Sequence, residues 1–317
     1  NPKPSSEMYL KCMIKAEVNP NETVIVEDSH IGRKGALSSG AYLCAVEDSN
    51  DVSYDKINKV IERANKNEEV KPKWQGGNMN VLIPMAGAGS RFEQAGYTFP
   101  KPLIEVNGKP MIQIVVENLN IDAKHIFIVQ KSHYEKYNLK YLLNLITNNN
   151  CEIVQVDGIT EGAACTTLLA KKFIDNDEPM VMANSDQFVE WDSNEFLYKM
   201  NETNADGGIV TFEATHPKWS FAKINKQGLV TEVAEKKPIS NIATVGFYYW
   251  KQGSDFVKYA EQMINKNIRV NNEFYVCPVF NEAIEDGKKI KTFDIEKMWG
   301  LGTPEDLQLF LDRRRWE

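Results

Sequence analysis

Apolar residues arrive along this chain in two kinds of run. Short apolar runs occur at Val81–Met85, Ile126–Val129 and Pro179–Ala183, with a strand-like run at Ile153–Val156 interrupted by Gln155. Their length and β-branched content suit strands buried on both faces. Between them, Met111–Leu119, Tyr134–Thr147 and Thr166–Phe173 place apolar positions at helical spacing. Strand and helix therefore alternate from Met79 onward. That rhythm predicts an α/β fold: a doubly wound, mostly parallel mixed sheet, with its site at the carboxyl ends of the strands. Further strands are expected at Leu229–Val233 and Ala243–Tyr249, and a closing helix at Pro304–Trp316.

The first part of the chain has a different texture. An amphipathic helix is expected over Tyr9–Ala16, a short strand over Glu22–Ser29 with Glu27 and Asp28 at its tip, and a helix over Ile31–Ala41 closed by Gly40. Residues 51–67 pattern as a polar helix. Asn65–Gly77 is rich in Lys, Glu, Asn, Pro and Gly and reads as a linker. The expected division is 1–52, a helix and linker over 53–77, and a larger domain over 78–317.

Composition narrows the partners. The chain has 317 residues, 42% apolar and 26% charged, with a net charge of −7. An acidic chain is a poor non-specific ligand for nucleic acid. No apolar run approaches the ~20 residues of a membrane-spanning helix. The five cysteines are scattered without a C-x-x-C pair, as expected of reduced thiols in a cytoplasmic protein. No nucleic-acid or membrane partner is expected; a homo-oligomer is left open.

The candidate chemistry centres on Met85-Ala86-Gly87-Ala88-Gly89-Ser90-Arg91-Phe92, which follows the first buried strand of the larger domain. Gly87 and Gly89 let backbone N–H groups approach phosphate oxygens. Arg91 and Lys101 add fixed positive charge. This is not a Walker loop, since no Gly-Lys-Ser/Thr follows, and the third glycine of a dinucleotide fingerprint is missing. After Arg91 the residues suggest turns more than a helix. Asp186 stands just past an apolar strand and reads equally as a turn or helix-cap residue and as a carboxylate facing bound phosphates. Glu161-Gly162-Ala163-Ala164 reads as a small-residue loop before a helix, Glu235-Lys236-Lys237-Pro238 as a charged turn after a strand, and Glu273 as a helix-start carboxylate.

Taken together, G-x-G-x-R-F, P-K-P-L at 100–103 and Val106–Ile112 resemble the signature of the sugar-phosphate nucleotidyltransferase (nucleoside-diphosphate-sugar pyrophosphorylase) family over residues 79–311. The resemblance implies transfer of a nucleoside monophosphate from a nucleoside triphosphate to a small phosphorylated substrate, with Mg²⁺ as cofactor. It assigns Met85, Ala86, Gly87, Ala88, Gly89, Ser90, Gly162 and Ala163 to the nucleotide, and Arg91, Lys101 and Lys237 to catalysis. It assigns Asp186 to the metal, and Lys236, Gly246 and Glu273 to the acceptor. A sugar 1-phosphate for capsule- or lipopolysaccharide-type glycans is the expected acceptor. A cytidylyltransferase for a small non-sugar phosphate is the alternative within the same chemistry. Many family members carry a second metal-binding aspartate where this chain has Gly300; Asp294 or Glu273 could stand in.

Residues 2–50 resemble the C-terminal half of a haloacid-dehalogenase-type phosphatase, with Lys3 matching the phosphate-neutralising lysine and Glu27 and Asp28 the acidic metal motif. That family's Asp-x-Asp nucleophile does not precede Lys3 in this sequence, and covalent phosphoryl transfer requires it. The segment is therefore expected to be a packing module, or a fragment whose nucleophile lies upstream. An inactive nucleotide-binding module is a further alternative.

Overall fold

The computed structural model describes residues 5–46, 48–66, 78–87 and 89–313. Lys3, most of the expected linker, Ala88 and the end of the expected closing helix lie outside them. The chain divides into two compact units, one drawn from Asn1–Gln75 and one spanning Gly76–Arg313.

The first unit contains α1 (Glu7–Ala16), β1 (Val24–Glu27), α2 (His30–Ser38), β2 (Tyr42–Ala45) and α3 (Tyr54–Asn65). β1 and β2 pair in parallel, Val24 opposite Tyr42. A two-stranded parallel pair needs cover. Tyr9 and Met13 of α1 supply it with Ala36 of α2, and Val60 of α3 packs on Tyr42, Cys44 and Val46. α3 thus packs within this unit. Glu27 is buried, and it accepts hydrogen bonds from the Tyr9 hydroxyl and from Ser29 Oγ. Gly32 leaves room for it, because a Cβ there would lie 1.9 Å from Glu27 Oε2 and displace the carboxylate. The carboxylate at the tip of β1 is thus tied to α1 and to the start of α2.

The second unit opens with β3 (Asn80–Pro84), α4 (Ser90–Gln94), a small hairpin of β4 (Glu105–Val106) and β5 (Lys109–Pro110), and α5 (Met111–Leu119). Next come β6 (Lys124–Gln130), α6 (Lys131–Lys136), α7 (Leu139–Ile146), β7 (Cys151–Val156), α8 (Ala163–Leu168), α9 (Lys171–Ile174), β8 (Met180–Ala183) and β9 (Gln187–Glu190). The remainder is α10 (Ser193–Glu202), β10 (Gly207–Glu213), β11 (Ser220–Ile224), β12 (Val230–Glu235), β13 (Ile242–Trp250), α11 (Gly253–Asn265), α12 (Val279–Glu285), β14 (Ile290–Asp294), β15 (Lys297–Gly300) and α13 (Pro304–Arg313).

The main sheet runs β12-β11-β13-β8-β3-β6-β7, with β10 joined to β13 and β14 to β10. β8, β3, β6 and β7 are parallel, and β13 crosses β8 antiparallel. Val81, Leu82, Ile83 and Phe127 are fully buried, which explains their unbroken apolar runs. On one face, Trp250 of β13 stacks on Phe280 of α12 with ring centroids 4.4 Å apart. Starting at β3, the chain steps outward through β6 and β7 and then returns to place β8 on the other side of β3. Loops leaving β3 and β8 therefore diverge, and the crevice between them is where a doubly wound sheet binds ligands.

Two expected helices and one expected turn differ in detail. Residues 134–147 form two helices, because Asn138 takes a left-handed conformation (φ 49°) that asparagine tolerates better than other non-glycine residues. The helix expected at Thr166–Phe173 begins at Ala163 and is reset at Ala170. Arg91 and Phe92 lie in the helix α4, not in a turn; Phe92 is buried and anchors it in a cluster with Ile104, Met111, Leu301 and Phe310.

His125 opens a testable dependence on pH. Its Nδ1 bonds the Ala123 carbonyl at 3.1 Å, and its Nε2 is buried with no partner among the described residues. Burial lowers its pKa from 6.5 to about 4. Between those values the unfolded chain binds a proton that the folded chain does not. Stability therefore falls as pH drops from 6.5 to 4, by about 3 kcal/mol. Urea denaturation of His125→Gln should show a flatter pH profile over that window than the parent.

Candidate active site

The loop after β3 is built to leave backbone donors unused. The Met85 N–H is spent on Ile128 O at 2.9 Å, and the Met85 and Ala86 side chains are buried. Only their backbones remain for a ligand. The N–H groups of Gly87, Gly89 and Ser90 have no acceptor among the described residues. Gly89 is left-handed (φ 64°), and its missing side chain faces Lys101, whose Cβ is 3.6 Å from where a Cβ would stand. That distance is ordinary van der Waals contact, so it is the left-handed backbone that favours glycine at 89. Arg91, on α4, is exposed, and its guanidinium makes no hydrogen bond or ion pair among the described residues.

Lys101 reaches across the crevice. Its Nζ lies 2.8 Å from Asp186 Oδ2, with both side chains 22% exposed. Asp186 follows β8 and is held from its far side by the end of the chain. The Leu301 N–H donates to Asp186 O at 2.7 Å, and a Cβ on Gly302 would lie 2.6 Å from Asp186 Oδ2. Strand pairing of β15 with β9, Gly300 opposite Gln187, brings that segment there. Asn118 of α5 steadies β9 by pairing with both the N–H and the C=O of Val189, each at 2.8 Å.

A second loop follows β7. Gly162 has φ 136°, and a Cβ on it would lie 2.4 Å from Phe274 O and 2.5 Å from Phe274 N. Phe274 N donates to Glu161 O and Ala164 N to Phe274 O, both at 2.9 Å. The loop at 161–164 is thereby stapled to the turn at 270–274. Arg269 reinforces the staple: it pairs with the Glu161 carboxylate, donates to Asn272 O at 3.1 Å, and lies over the Phe274 ring at 3.9 Å. The N–H groups of Gly162 and Ala163 have no acceptor among the described residues.

The third group lies around the end of β12. Glu235 accepts from the Ser220 hydroxyl, and burial raises its pKa while Ser220 and Lys236 oppose that shift. Lys236 is left-handed (φ 55°); its Nζ bonds Tyr275 OH at 2.6 Å. Glu273 lies beside Tyr275 in a turn with Asn271 and Asn272 both left-handed, so it is not a helix-start residue. Lys237 is exposed. Gly246 (φ 96°) gives its space to Asn184, whose Nδ2 would be 2.1 Å from a Cβ. The close approach that glycine permits is that of a protein amide.

The chain matches the family model described as nucleotidyl transferase over residues 80–310. It belongs to that family. Within the nucleotidyl transferase family, the chain is 27% identical over 234 residues to the low-salt glycan biosynthesis nucleotidyltransferase Agl11 of Haloferax volcanii, covering 72% of this chain and 64% of the relative. It is 26% identical over 235 residues to the bifunctional protein GlmU of Methanocaldococcus jannaschii, covering 72% and 52%. The chain thus spans between half and two thirds of the length of these relatives. Among solved structures, a nucleoside-diphosphate-sugar pyrophosphorylase from Vibrio cholerae superposes with a TM-score of 0.63 at 25% identity, covering 73% of this chain and 99% of that one. A UDP-glucose pyrophosphorylase complexed with UDP-glucose, at 19% identity and a TM-score of 0.61, covers 75% and 100% and shares the fold.

In this member of the family the structure brings Gly87, Gly89, Lys101 and Asp186 to one crevice, and ties Gly162 and Ala163 to the turn that carries Glu273. Arg91 and Lys237 are exposed, and no contact ties either to Asp186. A side chain at 300 would face Asp306, since the Oδ2 of that residue is 3.4 Å from a Cβ built on Gly300. Asp294 is engaged by the Thr211 hydroxyl and Glu273 lies by Tyr275. Among the described residues no three His, Cys, Asp or Glu side chains group to hold a metal. The donor set suits Mg²⁺ held by one carboxylate and by oxygens of a bound triphosphate. Sequence reasoning passed over Arg269, for which no local signal exists, and Gln130, a polar residue closing the apolar run of β6.

Proposed function

We propose that the chain transfers a nucleoside monophosphate from a nucleoside triphosphate to a phosphorylated acceptor. An acceptor phosphate oxygen attacks the α-phosphorus in line, and the α–β bridging oxygen leaves with pyrophosphate. The observation that carries this reading is the Lys101–Asp186 pair, 2.8 Å apart at the mouth between the β3 and β8 loops. Two fixed opposite charges there suit a site that must hold phosphates and compensate their charge. The unused N–H groups of Gly87, Gly89 and Ser90 would take the triphosphate with Arg91, and Lys101 and Lys237 would face the reacting phosphates. Asp186 would hold Mg²⁺ arriving with the nucleotide, which supplies further charge neutralisation when bound.

Gly162 and Ala163 would meet the base with backbone N–H groups. Lys236, Glu273 and the Gly246 strand would meet the acceptor. A sugar 1-phosphate is the acceptor this reading favours, as precursor of a surface glycan, and the named activities of the relatives support it. The parallel β1–β2 pair flanked by helices supports reading the first unit as half of a haloacid-dehalogenase-like fold. The inward-tied Glu27 argues that it serves as a packing module.

The test is a matrix of the four ribonucleoside triphosphates and dTTP against sugar 1-phosphates and small amino-alcohol phosphates, scored by pyrophosphate release. One strong pair among the sugar phosphates is expected. Activity confined to CTP with a non-sugar phosphate would replace the acceptor assignment, and no release with any pair would overturn the reaction.

A further inference from the structure

Gln130 is the last residue of β6, between the ends of β3 and β7 in the sheet. Its Nε2 donates to Ala86 O at 2.6 Å, in the loop after β3, and to Gly158 O at 2.7 Å, in the loop after β7. Both partners are carbonyl oxygens, so the orientation of the amide is set by chemistry: only its nitrogen can stand between them.

We propose that Gln130 is a positioning residue for the nucleotide, and that its one amide group sets the spacing between the two loops that the nucleotide bridges. This rests on the nucleotidyl-transfer reading above. Strand pairing holds the backbone only as far as Pro84 opposite Ile128 and Gln130 opposite Val156. Beyond those rungs the β3 loop carries the unused N–H groups of Gly87, Gly89 and Ser90, and the β7 loop runs on to those of Gly162 and Ala163. Without a donor between them, the Ala86 and Gly158 carbonyls would face each other as two acceptors and move apart. With the amide in place they form a two-sided bridge. A ligand seated on the β3 loop alone does not sense this spacing, whereas a ligand with its phosphates on one loop and its base on the other does.

The test uses the full chain with Gln130→Ala and Gln130→Glu, the second replacing the bridging donor with a third acceptor. Affinities are measured by calorimetry for each ribonucleoside triphosphate and for inorganic tripolyphosphate, with thermal melts alongside. The tightest-binding nucleotide should weaken by about tenfold or more in both variants, consistent with losing two bridging hydrogen bonds and the loop spacing they set. Tripolyphosphate should change by less than about threefold, and melting by less than about 2 °C, as for a partly exposed side chain. Unchanged nucleotide affinity overturns the proposal, and so does equal weakening of nucleotide and tripolyphosphate. A parent chain that binds tripolyphosphate but none of the nucleotides overturns the nucleotidyl-transfer reading and this inference together.

Discussion

Replacing Asp186 by asparagine is expected to lower pyrophosphate release by about a thousandfold, the scale set by removing one preorganised charge from a phosphoryl-transfer site. The substitution keeps the shape of the side chain and its backbone bond from Leu301, so the fold should hold. Lys101→Ala should act on the same scale. The pair is partly exposed, with each side chain at 22%, and an ion pair of that kind adds about 1 kcal/mol or less to stability. Loss of activity with a nearly unchanged melting temperature therefore separates a catalytic role from a structural one. Because the two residues touch, their effects should not add: the double variant should be worse than either single variant by less than about tenfold. Wild-type rates in either single variant would remove both residues from the site.

The second large effect concerns Gly162. A Cβ there would stand 2.4 Å from Phe274 O, at a φ of 136° that side chains rarely adopt. Neither obstacle can relax cheaply, since the contact is with backbone that is itself bonded to Glu161 and Ala164. Gly162→Ala should cost about 3 kcal/mol from strain and overpacking together, a melting shift of roughly 8 °C. It should also raise KM for the nucleotide. Gly158→Ala is the control: it too has positive φ, 80°, but nothing within 4 Å of the added carbon. It should cost about 1 kcal/mol. Equal melting temperatures for the two variants would show that the 161–164 loop is not clamped to Phe274.

Much of this could be read from the chain alone, for identifiable reasons. Val81–Met85 and Pro179–Ala183 announce buried parallel strands because both faces of such strands are covered, so no polar alternation interrupts them. Met111–Leu119 is a helix as its spacing says. Lys101 and Asp186 could be singled out by motif, but not their pairing: it joins residues 85 positions apart and depends on the order of strands in the sheet. Asn138 was hidden because asparagine is compatible with a helical pattern until a left-handed residue is needed. Gly246 could be read as a point of close approach. That the group approaching is Asn184, the residue after β8, follows only from the antiparallel crossing of β13 over β8. The bridge made by Gln130 is of the same kind, since its partners come from two different loops. Local pattern reports which groups a strand end carries; tertiary register decides what they face.

Nucleotidyl transfer requires attack at the α-phosphorus, and the substrate matrix tests this most directly when read with nucleoside triphosphate labelled at the α-phosphate. The account predicts that label moves into a product joined to the acceptor through a pyrophosphate linkage, with one unlabelled pyrophosphate released per product. Label that stays in the triphosphate while inorganic phosphate is released from the acceptor, or label that ends in free nucleoside monophosphate whether or not an acceptor is present, would contradict it.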